Sequence, residues 1–145
     1  MAQIVVGIDG SDESKAAFRW ALEEARLRKA SVRAVHAWHD PYTLAPGYGL
    51  PEDFEFPALQ KAAQERLAAT VDELVGENPD VTIEQLVLEG RPASILVEAA
   101  EDADLLVVGS RGHGGFAGLL LGSVSQQCAH HATCPVVIVR RGAAA

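Results

Sequence analysis

Residues 107–127 read VVGSRGHGGFAGLLLGSVSQQ, which is six of the chain's 13 glycines, one arginine and no carboxylate. Ordering glycine costs more backbone entropy than ordering any other residue, so such a run needs a use. Within it, Gly109, Gly112, Gly122 and Ser123 are spaced G-x-x-G-(nine residues)-G-S. Gly109 closes an apolar, strand-like run. Ser123 opens a helical one, with Gln126 three residues on in a capping-box pattern. The N–H groups of Gly122, Ser123, Val124 and Ser125 would then stand unpaired at the positive end of a helix dipole, which makes an anion site. The hydroxyls of Ser123 and Ser125 are further donors. Gly109 and Gly112 would let the backbone pass close to phosphate oxygens where a Cβ would collide. The chemistry open to this set is holding a phosphate.

The charge distribution points the same way. The net charge is −8, yet no Asp or Glu follows Asp104, while Arg111, Arg140 and Arg141 do. The last 41 residues thus carry +3 and the rest −11. An acid-free glycine segment in an acidic chain suits an anionic ligand, and the overall charge argues against nucleic acid as partner. Arg111 is placed to meet that ligand, or is a solvated surface arginine. His113 lies between loop glycines, within reach of a terminal phosphate or simply exposed. Two other phosphate templates fail. A P-loop needs a lysine after its glycines, and none follows Lys61. Gly112, Gly114 and Ala117 match a dinucleotide fingerprint, but no acid follows to hold a ribose.

Five short runs rich in Val, Ile and Leu must position these residues: 3–9, 31–38, 82–89, 104–109 and 135–141. Helical patterns lie between them over 14–28, 57–75, 92–100 and 123–131. The first carries Ala17, Ala21 and Ala25 on one stripe, with Phe18, Trp20 and Leu22 beside it. The second repeats Leu59, Ala63, Leu67, Val71 and Leu74. Strict alternation predicts a parallel sheet with helices on both faces, in one domain over 1–145. The connection 39–57, with four of the seven prolines, is long enough for a lid or partner surface, and equally for a plain loop.

In these motifs the chain resembles the universal stress protein family, in its nucleotide-binding branch. That branch carries the four-point spacing met at Gly109, Gly112, Gly122 and Ser123. The likeness extends to VVGIDGS with Asp9, VHAW, GRPASIL and CPVVIVR, and so covers the whole chain. The resemblance implies a doubly wound sheet in the order 3-2-1-4-5, ATP binding and dimers. It implies that Val108, Gly109, Ser110, Arg111, Gly112, Gly122, Ser123, Val124 and Ser125 wrap phosphates and ribose. Asp9 would meet the ribose or a Mg²⁺, Gly7 and Ile8 would line the floor, and Ala37 would present backbone to adenine. The order also sets the first and fourth strands side by side, at the switch point where open α/β sheets bind ligands.

Three functions are consistent with these residues: an ATP-binding regulatory module with an unidentified protein partner, a slow ATP-hydrolysing enzyme, or a dimeric interaction protein without nucleotide. Hydrolysis needs a base or water-orienting group. Asp9 is the only carboxylate in place, so no catalytic residue is assigned. AMP and cyclic AMP stay open as ligands. Cys128, His130, His131 and Cys134 suggest a zinc site less well than thiols used as small apolar groups. The start MAQIVVGIDGS shows no basic, apolar leader, and no run reaches a membrane span, so a soluble cytoplasmic chain is expected. The strand over 136–140, from Val136 to Arg140, would lie at a sheet edge and pair with its copy in a homodimer.

Overall fold

The computed structural model describes residues 2–38, 56–76, 80–111 and 121–140. Gly112, His113, most of the 39–57 connection and the chain end after Arg140 lie outside them. The elements run β1(Gln3–Gly7), α1(Asp12–Arg28), β2(Ser31–Trp38), α2(Phe56–Val75), β3(Ile83–Glu89), α3(Pro92–Ala99), β4(Leu105–Gly109), α4(Ser123–His131) and β5(Val136–Val139). The strands form one parallel sheet in the order β3-β2-β1-β4-β5. Both the expected order and the alternation are met. Among the described residues, no helix is long and apolar enough to cross a membrane.

Period-two alternation divides the core between the two faces. Ile4, Val6 and Ile8 of the first strand region, with Leu105 and Val107 of β4, pack against Phe18 and Leu22 of α1 and Leu67 and Val71 of α2. Val5, Val35, Leu106 and Val108 pack on the opposite face with Leu96 of α3 and Cys128 of α4. β1 and β4 are therefore apolar on both sides, as strands covered by helices must be. Leu59, expected in the buried stripe of α2, is instead 37% exposed; the stripe that reaches the sheet starts at Ala63.

α1 begins two residues earlier than its apolar stripe suggests. Ser11 caps it by accepting from the Ser14 N–H at 3.2 Å, and Asp12 and Glu13 complement the helix dipole. Its C-cap, Lys29, takes the left-handed conformation at φ 56° without being glycine. α3 opens on Pro92, where a missing N–H costs nothing.

Gly109 is needed for packing. A Cβ there would stand 2.8 Å from the Glu13 carbonyl carbon and 2.9 Å from its oxygen, in the first turn of α1. The sequence reading gave this glycine to the ligand; its bare face meets α1. At Gly7 the added Cβ would meet Leu96 Cδ1 at 2.8 Å, the far end of a side chain that can rotate. Gly109→Ala is therefore expected to lower stability by about 1–3 kcal/mol, and Gly7→Ala by less. Urea unfolding midpoints of the two variants check the ranking, and equal midpoints would contradict it.

Burial pushes the Cys128 thiol from 9.0 up to about 11, with a smaller push from Cys134, whose own pKa is raised by burial. A folded pKa above the unfolded one holds stability in full below pH 9, and that stability falls as pH rises toward 11. Urea midpoints of the parent should thus drop between pH 8.5 and 10.5 more steeply than those of Cys128→Ala.

Candidate functional site

The carboxyl ends of β1 and β4 lie side by side, since Ile4, Val5 and Val6 pair with Leu105, Leu106 and Val107. Asp9 and Gly10 leave the first end, and Ser110 and Arg111 leave the second. The first turn of α1 closes on β4 at Gly109 from one face. α4 stands on the opposite face, where its Cys128 joins the core of Val108 and Leu106. Two helix starts thus flank the end of β4.

Those two starts differ in what already satisfies them. α1 carries a capping serine and two acids in its first turn. α4 carries no acid there, and its N-cap is Gly122, with no side-chain capping bond. The capping box expected of Ser123 and Gln126 is not formed, because Ser123 already has helical position and Gly122 has no side chain to offer. The Gly122 N–H, expected to face outward, instead donates to the Ser110 carbonyl at 2.6 Å. That leaves the N–H groups of Ser123, Val124 and Ser125, which find no acceptor among the described residues. Free N–H groups at a helix start are what an anion binds.

The serines divide their work. Ser125 is 1% exposed, and its hydroxyl lies 2.9 Å from the Ser110 carbonyl and 3.0 Å from that of Gly122. A hydroxyl has one proton, and here it is used inward, so Ser125 offers its N–H and not its side chain. Ser123 is exposed, so its hydroxyl faces solvent. Ser110 is 5% exposed; its N–H donates to the Val139 carbonyl at 2.8 Å, tying the loop to β5. Arg111 is exposed at the mouth.

At the β1 end, the exposed Asp9 carboxylate accepts from the Ser11 N–H at 2.9 Å and from the Ser11 hydroxyl. Its own N–H donates to the Ser14 hydroxyl at 3.2 Å. Asp9 is thereby anchored to the start of α1 while its side chain remains exposed. Ile8 turns its side chain into the core, at 4% exposure, and Gly7 turns its bare face to Leu96. Neither lines a floor with its side-chain face. Val108 is buried, and Ala37 is half-buried in β2.

Sequence reasoning missed His36. Its Nδ1 lies 2.8 Å from the Ile8 carbonyl, and it borders a cavity of about 50 Å³ with Asp9, Gly10, Arg66 and Thr70. Its place two residues before Trp38 in an apolar strand was the available signal. Among the described residues, no three His, Cys, Asp or Glu side chains gather as metal ligands.

The family model for universal stress proteins matches residues 1–140. Universal stress protein Rv2623 of Mycobacterium tuberculosis is 39% identical over 140 residues, which is 96% of this chain and 45% of that protein. The chain therefore spans a little under half the length of such relatives. A solved universal stress protein in complex with cAMP is 33% identical, with a TM-score of 0.61 and 96% of both chains covered. The universal stress protein from Archaeoglobus fulgidus in complex with dAMP is 26% identical, with a TM-score of 0.63 over 96% of this chain and 98% of that one. Through its sheet order, its crevice and a match along almost its whole length, the chain belongs to the universal stress protein family.

Proposed function

We propose that the chain is a nucleotide-dependent regulatory or sensor module in stress response, of the family's nucleotide-binding branch. In this reading it binds ATP with Mg²⁺ between the ends of β1 and β4, and the bound nucleotide biases contacts with a protein partner. The observation that carries the reading is the start of α4. Three N–H groups there lack an acceptor among the described residues, in a stretch of chain without acids. Ser123, Val124 and Ser125 would hold phosphate through these groups. Arg111 would add charge, and Gly109, Ser110, Gly112 and Gly122 would shape the loop. Ala37 would offer backbone to the base. Asp9, exposed and fixed by Ser11, fits a ribose hydroxyl or a Mg²⁺ beside the phosphates. The relatives with cAMP and dAMP support an adenine ligand. The reading takes 1–145 as one domain acting in the cytoplasm.

ATP binding in the micromolar range or tighter is expected by calorimetry. Gly122→Glu should abolish it by placing a carboxylate at the phosphate end. A variant that binds like the parent would show the site to be elsewhere. Turnover should stay far below about 1 s⁻¹, the low end for enzymes, because no base other than Asp9 stands at the crevice among the described residues. Phosphate release near that rate, lost in Asp9→Ala, would make the chain an ATPase.

The reading also includes a homodimer through β5. The Leu106 N–H donates to the Pro135 carbonyl and the Ser110 N–H to that of Val139, so alternate residues of β5 face β4. Val136 and Ile138 then turn their N–H and carbonyl groups outward, and an apolar edge of this kind pairs with another strand unless it is blunted. Sedimentation at tens of micromolar should show a dimer that Ile138→Pro weakens. A parent that sediments as a monomer would overturn the pairing.

A further inference from the structure

β1 and β2 pair in register from Gln3↔Ser31 to Gly7↔Val35. One more rung follows, from the Ile8 N–H to the Val35 carbonyl at 2.8 Å. In a continuing parallel ladder the Ile8 carbonyl would next accept from the Ala37 N–H. Among the described residues no backbone N–H donates to that carbonyl; His36 Nδ1 stands 2.8 Å from it instead. A carbonyl oxygen only accepts, so Nδ1 carries the proton and donates.

The ring ends the ladder one rung early, at the residue before Asp9. Ile8 is gripped by β2 through both of its backbone groups, so Asp9 leaves the sheet from a fixed point. The Ala37 N–H, released from the rung, is left on the β1 side at the carboxyl edge of the sheet. We propose that His36 is a positioning residue of the nucleotide site, setting Asp9 through the Ile8 carbonyl and keeping the Ala37 N–H open to the base. This rests on the nucleotide reading above. The small cavity shared by His36, Asp9 and Arg66 puts the ring at the border of that site.

The test separates the donor from the bulk of the ring. Asparagine presents an N–H near the place of Nδ1, whereas valine suits the strand and offers none. Calorimetry with ATP should find His36→Asn within about threefold of the parent. It should find His36→Val weaker by about tenfold, the scale of one hydrogen bond. Equal affinity in His36→Val overturns the proposal, and so does an equal loss in both variants, which would mean packing alone. A parent that does not bind ATP overturns the nucleotide reading and this inference with it. If His36→Val does not fold, ¹⁵N-resolved NMR of the parent decides. The neutral Nδ1–H tautomer of His36 supports the role, and the Nε2–H tautomer overturns it.

Discussion

One carbonyl oxygen holds the candidate site together. The Ser110 C=O accepts from the Gly122 N–H at 2.6 Å and lies 2.9 Å from the Ser125 hydroxyl, while the Ser110 N–H reaches Val139. Three elements, β4, β5 and α4, meet at this one residue. The two residues on either side of the intervening loop, Ser110 and Gly122, are locked together whatever path the loop takes. The start of α4 is therefore fixed relative to the end of β4, and its dipole is aimed by the sheet. A buried junction with its polar atoms satisfied is rigid, because breaking any one bond leaves a desolvated donor or acceptor.

The electrostatic asymmetry depends on that junction. α1 and α4 both begin at the crevice, yet only α1 is supplied with a cap and with Asp12 and Glu13. No Asp or Glu follows Asp104, so α4 lies wholly in the acid-free part of the chain. An acid in the first turn of α4 would offset the positive end of its dipole. Asp9 stands just past the end of β1, held by the Ser11 N–H and hydroxyl at the start of α1.

Much of the fold was legible because it follows from periodicity. Apolar runs with helical stripes between them mark the nine elements of the described residues. The five-stranded order came through the family resemblance and agrees with the switch-point rule. What stayed hidden were single polar contacts whose partners lie far along the chain or in a neighbouring turn. Ser11 and Ser14 draw α1 out to Asp12, before its apolar stripe begins. Gly109 looked like a glycine for a ligand, and only the position of Glu13 shows what its bare face meets. The Ser125 hydroxyl turns inward because Ser110 waits 15 residues away. His36 sits in a strand that reads as plain core, and 28 residues separate it from Ile8. Spacing can mark a helix start as an anion site, but it cannot say which of its donors the protein has already used.

The β1–β4 pairing carries a further consequence, for the order in which the chain is made. Of these five strands β1 is made first, and its partner on one side, residues 105–107, follows about a hundred residues later. The Gln3 N–H likewise waits for the Asp104 carboxylate, 101 positions away. Within this domain β1 can pair with β2 before β4 is made, since contacts of high sequence separation close late. The crevice lies on that late seam. During synthesis the sheet can be three strands wide, β3-β2-β1, before β4 arrives, so the crevice is among the last parts of the fold to form.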